Sequence, residues 1–259
     1  MKRIRMAAAL LLFAGFCHAQ APAGVRYLNP SAYPEQDTSA VWRSLGASYV
    51  RKALKDNTLD RDPVWNARVD TVMASVGAAA AKLFPNYAGS SWTALLIDGF
   101  GHGAVAFPGG TVLVDAGFVR RLALTADEVA LLLAHEVAHL AAGHPSEKLS
   151  FMAETLGKEH APTAGTALLA FYAQDAYAFL FQPTARLQER EADAIGAAIL
   201  VASGYDARQA LALFDKLANI EPDGSDASSH DLAGVRKQAV MRVLEGRPGR
   251  LPLTSRAWE

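Results

Sequence analysis

Thr125-Ala126-Asp127-Glu128 opens the strongest helical signal in the chain, and the contents of that helix restrict the fold more than any other feature. A Thr followed three residues later by Glu is a capping box: the hydroxyl accepts from a free amide and the carboxylate reaches back to the cap. Val129, Leu132, Leu133 and Leu140 then recur at helical spacing up to Gly143, a residue suited to ending a helix. Inside this apolar segment stand His135, Glu136 and His139. Their spacing places the two imidazoles one turn apart on one face, where they can share a tetrahedral ion, and Glu136 adjoins them, placed to take a proton from a metal-bound water. Two His and a Glu in an otherwise apolar helix cost stability unless something binds them. The pattern predicts a site for one Zn2+ per chain.

A catalytic zinc needs a third protein ligand and an open position. A third His six residues after the second is excluded, because that position is Pro145. The downstream carboxylates are Glu147, Glu154, Glu159, Glu189 and Glu191. Glu189 is favoured because it lies early in a second helix, ahead of Ala194, Gly196, Ala197 and Ala198, whose small side chains permit close helix packing. Glu189 and Asp193 are four residues apart and share a face. One can ligate while the other accepts the free ring N–H of a ligand histidine. Glu191 points about 160° away from Asp193 on such a helix and reads as a solvated carboxylate. Should Glu189 not ligate, Glu191 and Glu159 are next in line.

The remaining sequence frames this site. At 259 residues, half apolar and one fifth charged, the chain can bury one substantial core, and its formal charge of −1 without a Lys/Arg run excludes a nucleic-acid footprint. Lys2, Arg3 and Arg5, the apolar run from Met6 to Phe16 and the small-residue end at Ala19 form a secretory signal pattern, with cleavage expected after Ala19 and a periplasmic or secreted product. Phe16 before Cys17 disfavours a lipoprotein anchor. The cleaved chain would hold no cysteine and so no disulfide. Residues 20–37 read as an exposed leader, and residues 38–56 and 63–84 as packing helices. Residues 92–98 and 111–114 read as strands of a small antiparallel sheet. Helices are expected over 126–142, 166–181, 185–202, 207–220 and 231–245. The apolar stretch 164–181 carries Gln174 and Asp175 near its centre, which argues for a buried or site-covering helix rather than a membrane span.

Together these motifs resemble the zinc metallopeptidase family that includes HtpX, the CAAX prenyl endopeptidases and the BepA-like periplasmic proteases. The resemblance rests on His135-Glu136-Val137-Ala138-His139, on Glu189-Arg190-Glu191-Ala192-Asp193 about fifty residues later, and on Ala104-Val105-Ala106-Phe107-Pro108-Gly109-Gly110 upstream. His230 and Arg236 are similar to the family's late His-Pro-x-x-x-x-Arg element, although Asp231 replaces the Pro. It implies an α+β, mainly helical, zincin-like domain over residues 63–259, after an N-terminal extension and first helix at 20–62. It further implies a soluble, minimal zinc endopeptidase with polypeptide substrates and envelope protein partners. Here His135, His139 and Glu189 hold the metal, Glu136 is the base, and Asp193 supports a ligand. His230 would face the zinc as oxyanion donor or gate, with Arg236 as its steadier partner, and Ala104, Val105, Ala106 and Phe107 would pair with substrate as an edge strand. An envelope chaperone retaining a latent zinc site is the alternative. His102 reads as a loop residue, His144 as a helix-end residue interacting with free carbonyls, and His160 as solvent-facing.

Overall fold

The computed structural model describes residues 32–87, 89–220 and 233–246. Helix α1 (Glu35–Asp56) is followed by α2 (Pro63–Leu83), which starts where Asp62 accepts from the Val64 and Trp65 amides and Pro63 occupies the first turn. Three short strands follow: β1 (Thr93–Ile97), β2 (Ala104–Phe107) and β3 (Thr111–Asp115). The rest is helical: α3 (Ala116–Arg121), α4 (Ala126–Ala141), α5 (His144–Leu156), α6 (Ala164–Ala173), α7 (Asp175–Ser203), α8 (Ala207–Ala210), α9 (Ala212–Ala218) and α10 (Ala233–Leu244). The chain is thus α+β and mainly helical. Among the described residues no helix is long and apolar enough to cross a membrane.

The expected small sheet is present, but it is mixed rather than wholly antiparallel. Its order is β1-β3-β2, with β1 parallel to β3 and β2 antiparallel to it, Ala104 opposite Val114 and Phe107 opposite Thr111. The turn joining β2 to β3 explains the antiparallel pair: Gly109 and Gly110 have φ of 98° and 87°, and a Cβ on Gly110 would lie 2.1 Å from the Ser91 carbonyl oxygen. Only glycine fits there. β2 is left as a free edge. Side chains alternate across the sheet, so Val112 and Val114 join one core with α2, α4 and α7, while Leu113 and Phe107 join a second core with α1, α5 and α6. A sheet buried on both faces needs no polar side, and its strands read as continuous apolar runs.

Three boundaries differ from expectation. Ala32 and Tyr33, at the end of the segment read as an exposed leader, are tied down: Ala32 N–H donates to Ser150 Oγ at 3.2 Å and the Tyr33 hydroxyl to the Ala161 carbonyl at 2.5 Å. Helix α5 occupies a stretch given no element, because Gly143 followed by Pro145 looks like a stop. Gly143 (φ 75°) does end α4, and Pro145 then sits in the first turn of the next helix, where its missing N–H costs nothing. Finally, the break expected near Pro183 falls at Gln174, and α7 runs through the proline. Pro183 is exposed, so its ring stands on the solvent side of the helix and not in the packed face.

Candidate metal centre

Helix α4 supplies the centre because it is held rigidly on every side. Thr125 Oγ1 accepts from the Glu128 amide while Glu128 reaches back to the Thr125 amide at 2.6 Å, and the buried Glu128 also accepts from Lys216 Nζ at 2.7 Å. Leu133, Ala134, Val137 and Ala138 are fully buried beside the two histidines. Against this face lies α7, at a separation set by Gly196, where a methyl group would come within 3.0 Å of His135 Cα. The small residues after Glu189 therefore do bring the two helices together, and that approach carries Glu189 to the histidines.

His135 Nε2 and His139 Nε2 face each other at 3.0 Å, and Glu189 lies 3.2 Å from the first and 3.4 Å from the second. One donor atom from each of the three residues falls within 4.8 Å of the others. Two imidazole nitrogens and a carboxylate converging on one point repel unless a cation lies between them. Burial disfavours the His135 imidazolium, but the Glu189 and Asp193 carboxylates outweigh it and lift its pKa to about 10. Burial would raise Glu189, yet His139 and His135 hold it well below the usual carboxylate range.

The partners behind the ligands decide which ring nitrogen is bare. His135 Nδ1 lies 3.0 Å from Asp193 Oδ1, so it carries the hydrogen and leaves the Nε2 lone pair turned to the centre. Asp193 is in turn gripped by Arg236, whose Nε and Nη2 donate to its two oxygens at 2.9 and 2.8 Å. Against the cost of burial, this pairing lowers the Asp193 pKa to about 2. Behind His139 a second chain runs the same way. His139 Nδ1 lies 2.8 Å from His144 Nδ1, and His144 Nε2 lies 3.2 Å from Glu191 Oε2. With Glu191 accepting from His144 Nε2–H, His144 Nδ1 accepts from His139 Nδ1–H and His139 Nε2 is bare. Both histidines thus offer the nitrogen that faces Glu189, and the donor set fits a tetrahedral zinc with one position open.

This second chain corrects two sequence expectations. Glu191 is 3 % exposed rather than solvated, and His144 is buried against His139 rather than capping carbonyls. Glu191 is buried because α5, beyond the apparent stop at Gly143 and Pro145, packs against α7 and supplies His144. His160 is exposed as expected, near the Leu156 carbonyl. His102 is exposed beside Phe100, with ring centroids 5.3 Å apart. His230 lies outside the described residues.

Glu136 stands on the other side of the histidines, its Oε2 accepting from the Ala106 N–H at 3.2 Å. That amide points away from β3, so the free edge of β2 faces the same cleft as Glu136. Burial raises the Glu136 pKa against the lowering influence of His139 and His135. The cleft has a volume of about 750 Å³ and is bordered by β2, α4, α7 and the aromatic residues Trp42, Phe171 and Phe214.

Comparison with known proteins fits this geometry. A family model described as Peptidase family M48 matches residues 64–243. The chain belongs to peptidase family M48. Among curated relatives, it is 29% identical over 185 residues to the putative beta-barrel assembly-enhancing protease of Vibrio cholerae serotype O1, covering 67% of this chain and 37% of that protein. It is also 29% identical over 180 residues to mitochondrial metalloendopeptidase OMA1 of Arabidopsis thaliana, covering 62% of this chain and 36% of that protein. The match therefore spans little more than a third of the length of either relative. The M48 match begins at the start of α2 and runs to the end of α10, so it includes α4, α7 and every residue of the centre.

Proposed function

We propose that this M48 chain is a zinc-dependent endopeptidase that cuts exposed or misfolded segments of envelope proteins after export to the periplasm. The observation that carries this reading is the convergence of His135, His139 and Glu189 on one point beside the half-buried Glu136. The name of the Vibrio relative supports the envelope setting. Zinc held by these three residues would polarise a peptide carbonyl and make a water acidic enough to react near neutral pH.

The side chains do the rest. Glu136 takes a proton from the attacking water as its oxygen bonds to the carbonyl carbon, then delivers that proton to the nitrogen as the C–N bond breaks, giving a carboxylic acid and an amine. Its burial-raised pKa suits both halves of that exchange. Asp193 and Arg236 keep His135 in one tautomer, and Glu191 and His144 do the same for His139. His230 is assigned the donor role toward the developing oxyanion. Substrate enters as an extended strand beside Ala104, Val105, Ala106 and Phe107, whose free edge offers backbone groups toward Glu136. A bound strand would compete with Glu136 for the Ala106 amide and release the carboxylate for catalysis.

Chelation tests the reading. Casein digestion by the purified chain should stop with a zinc chelator and return on adding zinc. Digestion unaffected by chelation, or binding of unfolded polypeptide without any cleavage by the zinc-loaded chain, contradicts it.

A further inference from the structure

Lys148 lies one turn after His144 on α5 and turns its ammonium into the cleft. Four aromatic rings from three other helices surround Nζ: Phe171 at 4.9 Å, Trp42 at 5.5 Å, and Tyr172 and Phe181 each at 5.9 Å from their centroids. The cage is itself fixed. Trp42 Nε1 donates to the Pro145 carbonyl at 3.2 Å, and Phe181 packs on Phe151 and Phe171. Aromatic faces attract a cation but do not supply the oxygen acceptors that three N–H groups require. Among the described residues no carboxylate, carbonyl or hydroxyl accepts from Lys148 Nζ, and burial lowers its pKa to about 8 while Glu189 acts in the opposite direction. The ammonium is still the main form at neutral pH.

Half-buried among rings and turned into the cleft, the ammonium offers N–H groups that no described oxygen accepts, which leaves them for a ligand that enters the cleft. We propose that Lys148 and the rings of Trp42, Phe171, Tyr172 and Phe181 form a subsite for a carboxylate of the substrate polypeptide. The carboxylate accepts from Nζ, while the rings cover the methylene groups beside it and exclude water. Phe181 and Glu189 are eight residues apart on α7, roughly 12 Å along its axis. Both residues line the same cleft, so the recognised carboxylate lies within a few residues of the bond cut. It belongs either to an Asp or Glu side chain or to the substrate's own C-terminus. The proposal rests on the peptidase reading, and its test is arranged to stand apart from turnover.

The test uses the full-length zinc-loaded chain with Glu136→Gln, immobilised and exposed to a pool of random ten-residue peptides, with the retained fraction sequenced by mass spectrometry. Peptides that offer the carboxylate, on a Glu or Asp side chain or at a free C-terminus, should be retained about tenfold more than the corresponding Gln, Asn or C-terminally amidated peptides. Lys148→Met, which keeps the packing among the rings, should abolish that preference; Lys148→Arg should restore it, and Lys148→Glu should transfer it to Lys and Arg. A pool with amidated C-termini separates the two sources: loss of retention on amidation assigns the terminal carboxylate, and no loss assigns a side chain. Equal retention by the chain with Lys148 of acidic peptides, their amide twins and their C-terminally amidated forms, or a preference for a carboxylate that survives Lys148→Glu, overturns the proposal. Casein digestion by the chain with Glu136 intact is read separately. Acidic retention without digestion would reject the peptidase reading and leave the carboxylate site standing.

Discussion

Gly196→Ala tests whether the helix contact that assembles the centre is as tight as the structure requires. The added methyl would lie 3.0 Å from His135 Cα, 3.1 Å from His135 N and 3.3 Å from Ala134 C. Carbon atoms prefer about 3.5–4.0 Å, so the helices must part by roughly half an ångström. Neighbours that are backbone cannot rotate away, and α4 cannot yield locally while Leu133, Val137 and Ala138 are fully buried. Alanine gains about 1 kcal/mol over glycine in a helix interior, whereas overpacking costs about 1–3 kcal/mol. The net loss of stability is therefore at most about 2 kcal/mol. The metal is the more sensitive reporter. Glu189 lies two turns from Gly196 on α7, and moving α7 off α4 carries that carboxylate away from His135 by a distance comparable with the tolerance of such a site, about 0.5 Å. Zinc affinity, measured by chelator competition, should fall roughly tenfold. Gly234→Ala is the control: in α10 a methyl meets nothing within 4 Å, so helix propensity acts alone and zinc binding is unchanged. If Gly196→Ala stabilised the metal-free chain as Gly234→Ala does and bound zinc at wild-type strength, the close contact would be refuted.

Asp193→Asn should weaken zinc binding about 10- to 100-fold, because the amide can offer N–H to His135 Nδ1 and it no longer neutralises Arg236, which then turns toward Glu189, now 3.6 Å away. Glu191→Leu should lower zinc affinity roughly tenfold without touching a ligand, by releasing the tautomer of His144 and so of His139; affinity equal to wild type would show that this chain of bonds does not orient the ligand. The raised His135 pKa fixes a pH dependence. Its contribution to stability of the metal-free chain is fully present below the ordinary value of 6.5 and is lost as pH rises toward about 10. Zinc replaces that proton on Nε2, so binding at pH 7.5 should release about one proton, read by calorimetry in buffers of different ionisation enthalpy; no release would contradict the assignment.

Much of the centre is legible in the sequence because local rules govern it. The capping box at Thr125, the turn spacing of His135 and His139 and the shared face of Glu189 and Asp193 all follow from one helix period, and the structure places these residues together. What was not legible depends on packing between elements far apart in the chain. Glu191 looks solvated until α5 is known to lie against it, and α5 was missed because Gly143 and Pro145 are stop signals for one helix and start signals for the next. Its own apolar spacing, Leu149, Met152, Ala153 and Leu156, would have revealed it. Lys148 carried no signal at all, since its cage is assembled from α1, α6 and α7. The parallel pairing of β1 with β3 was hidden for a similar reason: a hairpin turn is visible in Pro108-Gly109-Gly110, but nothing local tells which edge of β3 receives β1.

The account turns on Glu136 acting as a base beside a metal that it does not hold. The measurement that tests this most directly is zinc content and casein turnover of Glu136→Gln beside wild type, on the same preparations. One zinc per chain in both proteins, with turnover lost by at least about 100-fold in the variant, is the predicted result. Loss of zinc along with turnover would make Glu136 a ligand, and turnover at the wild-type rate would remove it from the chemistry; either contradicts the account.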